Sequence, residues 1–389
     1  MKKTYTLFIL LAVVPFWLLA QSMVKPEPQI SFVKQSYPHT YYVKQAELWW
    51  EVLQKDMKNE DAWYNYYRAC RSARGTANWK SDFVKESPAL RLGEDIVDLM
   101  KEHIDGTFVY HFVKGSISGV STEAQADLRK AYEMRQDFVP LLPNVITLAV
   151  STHDDKLRKE VNQKWFTKNS FPEGLMNYSY NVLQSCKRDA ILLTQGDNDT
   201  YPLWMLQDAL GIRRDVHVLN IDFLLFDEFA EKEYKKLDIP PFVIQEPDIN
   251  EYETNWKNVV RYLLKTYQGE RPFQLAFTVE PQRYEGWEDS LKVHGLSWIR
   301  AEGEFLDNNI ALYQDILHLD HLAYVFKPSP MQGRVDVMNM NYLTFLKKLF
   351  EYYREEGDEK ELNKIKQLVN YIAEKAPKDR KEKVLKTFE

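Results

Sequence analysis

Between residues 190 and 220 the hydrophobic period changes twice around an acidic turn, and few chain arrangements accommodate such a pattern. Residues 190–194 form a short continuous apolar run, suited to a strand buried on both faces. Residues 195–200 are polar. Pro202 then stands where a first helical turn tolerates a missing N–H, and Leu203, Leu206 and Leu210 follow at helical spacing up to Gly211, a natural stop. Residues 215–220 read as a second strand. The pattern is a βαβ unit, whose strands pair in parallel through a right-handed crossover and whose ligands gather at the strands' carboxyl ends.

The same logic extends downstream. Residues 227–236 are helix-like, Pro240 and Pro241 must be extended or turning, and 255–267 carry Val259, Tyr262 and Leu263 at the spacing of a helix covering a sheet. A third apolar strand is predicted at 274–279, a fourth at 293–299 and a short fifth at 322–326. Helices bracket this segment. On the N-terminal side, 42–56 places Ala46, Trp50 and Leu53 on one face, and Trp63, Tyr66, Tyr67 and Cys70 line a second helix after a short turn. Residues 143–150 and 155–168 read as another pair around a turn holding His153, Asp154 and Asp155, while 107–119 is open between helix and loop. On the C-terminal side, 341–353 and 359–375 flank Gly357. The fold class is α/β: a Rossmann-like, mostly parallel sheet flanked by helical hairpins. The expected divisions are a leader at 1–20, a helical part at 21–180, the α/β domain at 181–335 and a helical hairpin at 336–389.

Lys2 and Lys3 precede an apolar segment ending at Ala20, a small residue before polar Gln21, which is the pattern of a cleaved export signal. The segment is shorter than the roughly 20 apolar residues of a spanning helix and contains Pro15, so export outweighs anchoring. The expected location is the periplasm, including the inner side of the outer membrane, with membrane association only through a partner or a retained leader. Against 57 acidic side chains stand 51 basic ones, and the net charge of −6 disfavours nucleic acid and anionic membrane surfaces as partners. Cys70 and Cys186 are too few for a disulfide framework; one bond between them is open, as is burial as free thiols. No Walker, GxGxxG or GxSxG pattern occurs, and the stripes of Trp and Tyr read as core.

If the strands are parallel, the residues following each fall along one edge. Asp197 and Asp199 follow the first, Asp222 the second and Glu280 the third, with Thr194, Asn198, Thr200 and Asn220 as neutral partners. Such a set accepts hydrogen bonds from sugar hydroxyls, or holds a divalent cation through Asp197 and Asp199. No cofactor is otherwise required. The competing reading is structural: Asp and Asn favour turns, and Asp199 or Thr200 is placed to cap the helix near Pro202. His318 and His321 are three apart but lack a third ligand at zinc spacing, and His153 reads as part of an interhelical turn.

The blocks GDNDTYPLWMLQ and GIRRDVHVLN, with VHGLSWIR and the run Met340, Asn341, Tyr342, resemble the soluble region of a bacterial family of multi-spanning, glycosyltransferase-C-like proteins related to transmembrane O-mannosyltransferases. The resemblance runs from about residue 190 to the C-terminus. In that family the transfer reaction belongs to membrane spans, so what it implies here is the acidic turn and not transferase activity. A weaker resemblance to tetratricopeptide units rests on Ala46, Trp50 and Trp63, with departures at Lys58 and Tyr67.

These readings point first to an exported envelope interaction or adaptor protein, leaning away from an enzyme. Its partner would be another envelope protein, a glycosylated one, or an outer-membrane assembly or secretion complex. The alternative is a metal-dependent glycan-active enzyme, or a glycan-binding module, using the acidic turn.

Overall fold

A computed structural model describes residues 25–31, 34–78, 81–117, 119–243, 249–325, 327 and 329–389. The leader expected at 1–20 lies outside the described residues, as does Phe326. The chain divides into two compact units, one reaching to Asp105 and the other formed by Gly106–Glu389 with Val33–Gln35.

The first unit is built on the expected helical hairpin. Helices His39–Lys55 and Glu60–Thr76 meet across a short turn, where the Asn59 side chain accepts from Ala62 N at 2.9 Å and Glu60 and Asp61 complement the helix dipole. Ala46, Leu53, Trp63, Tyr66, Tyr67 and Cys70 are buried, so the aromatic stripe is core as its spacing required. The Trp63 indole donates to Met57 O at 2.8 Å, and the Arg91 guanidinium lies 4.0 Å above the Trp50 ring. A third helix, Gly93–Ile104, buries Ile96, Met100 and Ile104.

The second unit contains a five-stranded mixed sheet in the order β2-β1-β3-β5-β4. The strands are β1 (Ile191–Thr194), β2 (His217–Asn220), β3 (Phe273–Ala276), β4 (Leu291–His294) and β5 (Ser297–Arg300). Strand β1 is interior to the sheet and wholly buried, and it pairs in parallel with β2 and with β3. The crossover from β1 to β2 is the helix Tyr201–Leu210, with Pro202 in its first turn and Gly211 closing it at φ +73°. Helices Asp227–Lys236 and Ile249–Thr266 lie between β2 and β3.

Three strand assignments change. The third strand stops at Ala276, because Val279 N–H turns back to Ala276 O at 3.0 Å. The fourth is not one strand but the antiparallel hairpin of β4 and β5, with β5 antiparallel to β3, so the sheet is only partly parallel. Gly295 makes that turn at φ +56°, and a Cβ there would lie 2.2 Å from Ser185 Oγ, so only glycine fits. No strand occupies 322–325; Asp320–Ala323 is a short helix. The segment open between helix and loop is the helix Phe108–Ile117. Helices Leu142–Ser151 and Asp155–Thr167 flank the turn at His153, where the Asp154 side chain accepts from Leu157 N at 3.0 Å. Helices Tyr342–Glu356 and Glu359–Lys375 form the C-terminal hairpin. Among the described residues no helix is long and apolar enough to cross a membrane. Both cysteines are buried free thiols, each in a different unit.

Candidate functional site

Parallel pairing of β1 with β2 and β3 brings their carboxyl ends to one edge, with Thr194 directly opposite Asn220. The turn after β1 does not cap the following helix through its side chains. Thr200 Oγ1 instead bonds Thr194 Oγ1 at 2.8 Å, and Asn220 Nδ2 donates to Thr200 Oγ1 at 3.0 Å and to Gly196 O at 3.3 Å. A buried chain of Thr194, Thr200 and Asn220 therefore ties the ends of β1 and β2 together. The other end of the Asn220 amide accepts from Asp222 N at 2.9 Å, which sets the turn that presents Asp222.

Asp199 is 5% exposed and points inward. Its Oδ2 accepts from Gln195 N at 2.9 Å and from the Thr278 hydroxyl at 2.5 Å, which joins the ends of β1 and β3. Burial pushes its carboxyl up to about 7, against the pull of the Thr278 and Gln195 bonds, and the neighbouring charge of Asp222 adds to the rise. Tyr178 is fully enclosed nearby, and burial first, then the Asp199 charge, pushes its phenol up.

Asp222 is the more open carboxylate, its side chain 35% exposed. Arg283 Nη2 donates to its Oδ1 at 2.7 Å while Nη1 donates to Trp256 O at 2.9 Å. The guanidinium itself is fully buried, 3.4 Å above the Trp256 ring. Partial burial raises the Asp222 pKa, and the Arg283 charge works against that rise. Glu280 and Asp197 are exposed, and Asn198 is half-buried. Gln195 connects this rim to the network, its side-chain oxygen accepting from Glu280 N at 3.1 Å.

Thr194, Asp199, Thr200, Asn220 and Asp222 are thus assembled around one edge, while Asp197, Asn198 and Glu280 stand on its open side. Among the described residues no three His, Cys, Asp or Glu are grouped to hold a metal. Sequence reasoning missed Thr278, Gln195, Trp256 and Arg283. Arg283 contacts Asp222 across 61 residues of chain, and no local pattern announces such a partner. His318 and His321 do not share a helix face: His318 stacks on Tyr180 with centroids 4.7 Å apart, and His321 is buried beside Tyr342.

No curated protein and no solved structure shows significant similarity to this chain. Residues 175–275, which carry β1, β2, the acidic turn and most of β3, match the family model named TMEM260-associated domain 2, and this relates the segment to TMEM260-type proteins.

Proposed function

We propose that the chain is an exported envelope interaction protein, and that the carboxyl edge of its parallel strands holds a hydroxyl-rich ligand, a glycan, without a metal. One observation carries this reading. Asp222 is fixed at the edge by a buried Arg283 and by the Asn220 turn, yet it keeps about a third of its side chain open. A carboxylate held in place from behind is a preorganised acceptor for paired sugar hydroxyls, and exposed Asp197 and Glu280 supply further acceptors on the same rim. Asp199 stands behind the rim and joins the β1 and β3 ends that carry it. The resemblance of this segment to O-mannosyltransferase-related proteins, together with its match to TMEM260-associated domain 2, supports a setting among glycan-handling proteins.

The test is a glycan array probed with the mature chain and with Asp222→Asn. Retention on a defined glycan subset that the variant loses supports the reading; no retention, or identical retention, removes it. Affinity capture from solubilised envelopes addresses the interaction role, and recovery of the chain without a stoichiometric companion counts against it.

A second reading rests on the accessible carboxylates of the rim: Asp222, held by Arg283 with about a third of its side chain open, and exposed Glu280 are placed to act as a general base. On that reading the edge belongs to a glycan-active enzyme. Cation ligation by Asp197 and Asp199 is its less supported form, since Asp199 Oδ2 is already engaged by Gln195 and Thr278. Calorimetry with Mg²⁺, Mn²⁺ and Ca²⁺ on the wild type and on Asp197→Ala with Asp199→Ala decides that form.

A further inference from the structure

On the β2 side of the sheet, toward the amino ends of the parallel strands, a cavity of about 520 Å³ is lined by residues from the 155–167 helix, the 201–210 helix, β2 and the segment leading into β3. That size is ordinary for a small-molecule site. Its charges do not cancel. Four carboxylates line it, and each has a cationic partner: Asp155 and Asp208 with Arg158 at 3.7 and 3.0 Å, Asp215 with Arg213 at 2.8 Å, and Glu233 with Lys236 at 2.6 Å. Lys159, Arg214 and Arg271 also line it, and among the described residues none of the three has a carboxylate within ion-pair distance. Arg158 serves two of the carboxylates and Arg213 lies outside the lining, so five lining cations face four carboxylates, an excess of one positive charge in a chain whose net charge is −6.

We propose that this cavity binds a phosphate-type polyanion, a phosphate monoester or a pyrophosphate. Two of its cations are guanidiniums already held by main-chain oxygens. Arg214 Nε donates to Gln207 O at 3.0 Å, and Arg271 donates through Nε to Asp189 O at 2.7 Å and through Nη2 to Ala190 O at 3.4 Å. These bonds leave each guanidinium with further N–H donors while fixing its position, and Lys159 adds an ammonium from the neighbouring helix. Three separate donors match the three outer oxygens of a phosphoryl group better than the two of a carboxylate. The wall behind them is rigid. Buried Glu233 accepts from His153 Nε2 at 2.8 Å and from His217 Nε2 at 2.8 Å, which locks the interhelical turn to β2. This site is independent of the carboxyl-edge reading, and failure of either leaves the other standing.

The experiment is calorimetric titration of the mature chain with sodium pyrophosphate, and separately with glucuronate, at low ionic strength. The expected result is saturable pyrophosphate binding, weakened roughly tenfold or more by Lys159→Glu, and little or no glucuronate binding. Arg188→Glu is the control. It makes the same change of charge at a side chain 91% exposed and outside this cavity, so it leaves affinity nearly unchanged. Arg214→Ala should weaken binding as well; should that variant not fold, the Lys159 variant decides alone. Absence of saturable binding, equal weakening by Lys159→Glu and Arg188→Glu, or preference for glucuronate overturns the proposal. Co-sedimentation with phosphatidate vesicles that pyrophosphate displaces would put the phosphate on a lipid headgroup. No sedimentation would put it on a soluble ligand, and either result keeps the phosphate assignment.

Discussion

The two ends of the parallel strands handle buried carboxylates in opposite ways. At the carboxyl end, Asp199 is enclosed with neutral donors, Gln195 N and the Thr278 hydroxyl, and burial pushes its pKa up to about 7. Near the amino end of β2, Glu233 is equally buried, and burial alone would raise it, yet bonds and charges from His217 and Lys236 hold it down to about 2. Burial raises the carboxyl pKa at both places; the partner decides the net sign. Neutral hydroxyls and amides leave a carboxyl that titrates near neutral pH, whereas cationic partners keep one ionised through the physiological range.

The largest effect that breaks this comparison concerns Asp199. Its folded pKa exceeds the unfolded one, so its contribution to stability is full below about pH 3.8 and is lost as pH rises through about 7. Over that window the loss is on the order of 4 kcal/mol. Asp199→Asn, which cannot ionise, should flatten that decline in denaturant midpoints measured from pH 4 to 8. A variant that declines as steeply as the wild type would show that the buried carboxyl is not the cause.

Glu233 should behave inversely. Its folded pKa lies below the unfolded one, so its contribution is present above about pH 4.5 and is lost as pH falls toward 2. Glu233→Gln should cost about 3 kcal/mol at pH 7 and progressively less on acidification. Equal losses at pH 7 and pH 3 would mean that the pairing with His217 and Lys236 contributes no charge-dependent stability. A smaller effect is expected at the carboxyl rim. Arg283→Met keeps apolar bulk over Trp256 but removes the charged bonds to Asp222 and to Trp256 O, at a cost of about 2 kcal/mol. Calorimetric melting of that variant measures it, and a loss under half that size would mean that solvent replaces the guanidinium.

How much of this could be read in advance follows from how local each feature is. The βαβ unit was legible because the apolar run of 191–194, Pro202 and Gly211 are each diagnostic within a few residues. Parallel pairing followed, and with it the gathering of Thr194, Asp199, Asn220 and Asp222. The β4 and β5 hairpin reads in sequence as one strand over 293–299, because the turn rests on Gly295 at φ +56° packed against Ser185, a contact more than 100 residues away in the chain. The roles within the site were equally hidden. Asp199 and Thr200 fit a capping pattern in sequence, and only Thr278, 79 residues beyond Asp199, explains why the carboxyl turns inward. For Glu233 only the pairing with Lys236, three residues on, is local; its other partners come from a turn 80 residues earlier and from a strand 16 residues earlier.

The smallest predicted effect tests whether the cationic side of the sheet depends on backbone form or on charge. Gly211 ends the 201–210 helix at φ +73°, where an L side chain is strained, so Gly211→Ala should cost about 1 kcal/mol. Space is not the obstacle. An added Cβ would meet the Arg214 guanidinium carbon at 3.5 Å, an ordinary contact, so the penalty is conformational. Because Arg214 Nε is held by Gln207 O rather than by Gly211, the guanidinium should stay in place. Denaturant unfolding should therefore register the loss while pyrophosphate affinity holds. If affinity falls with stability, the cavity depends on the left-handed turn itself, and the two ends of the strands differ in backbone as well as in charge.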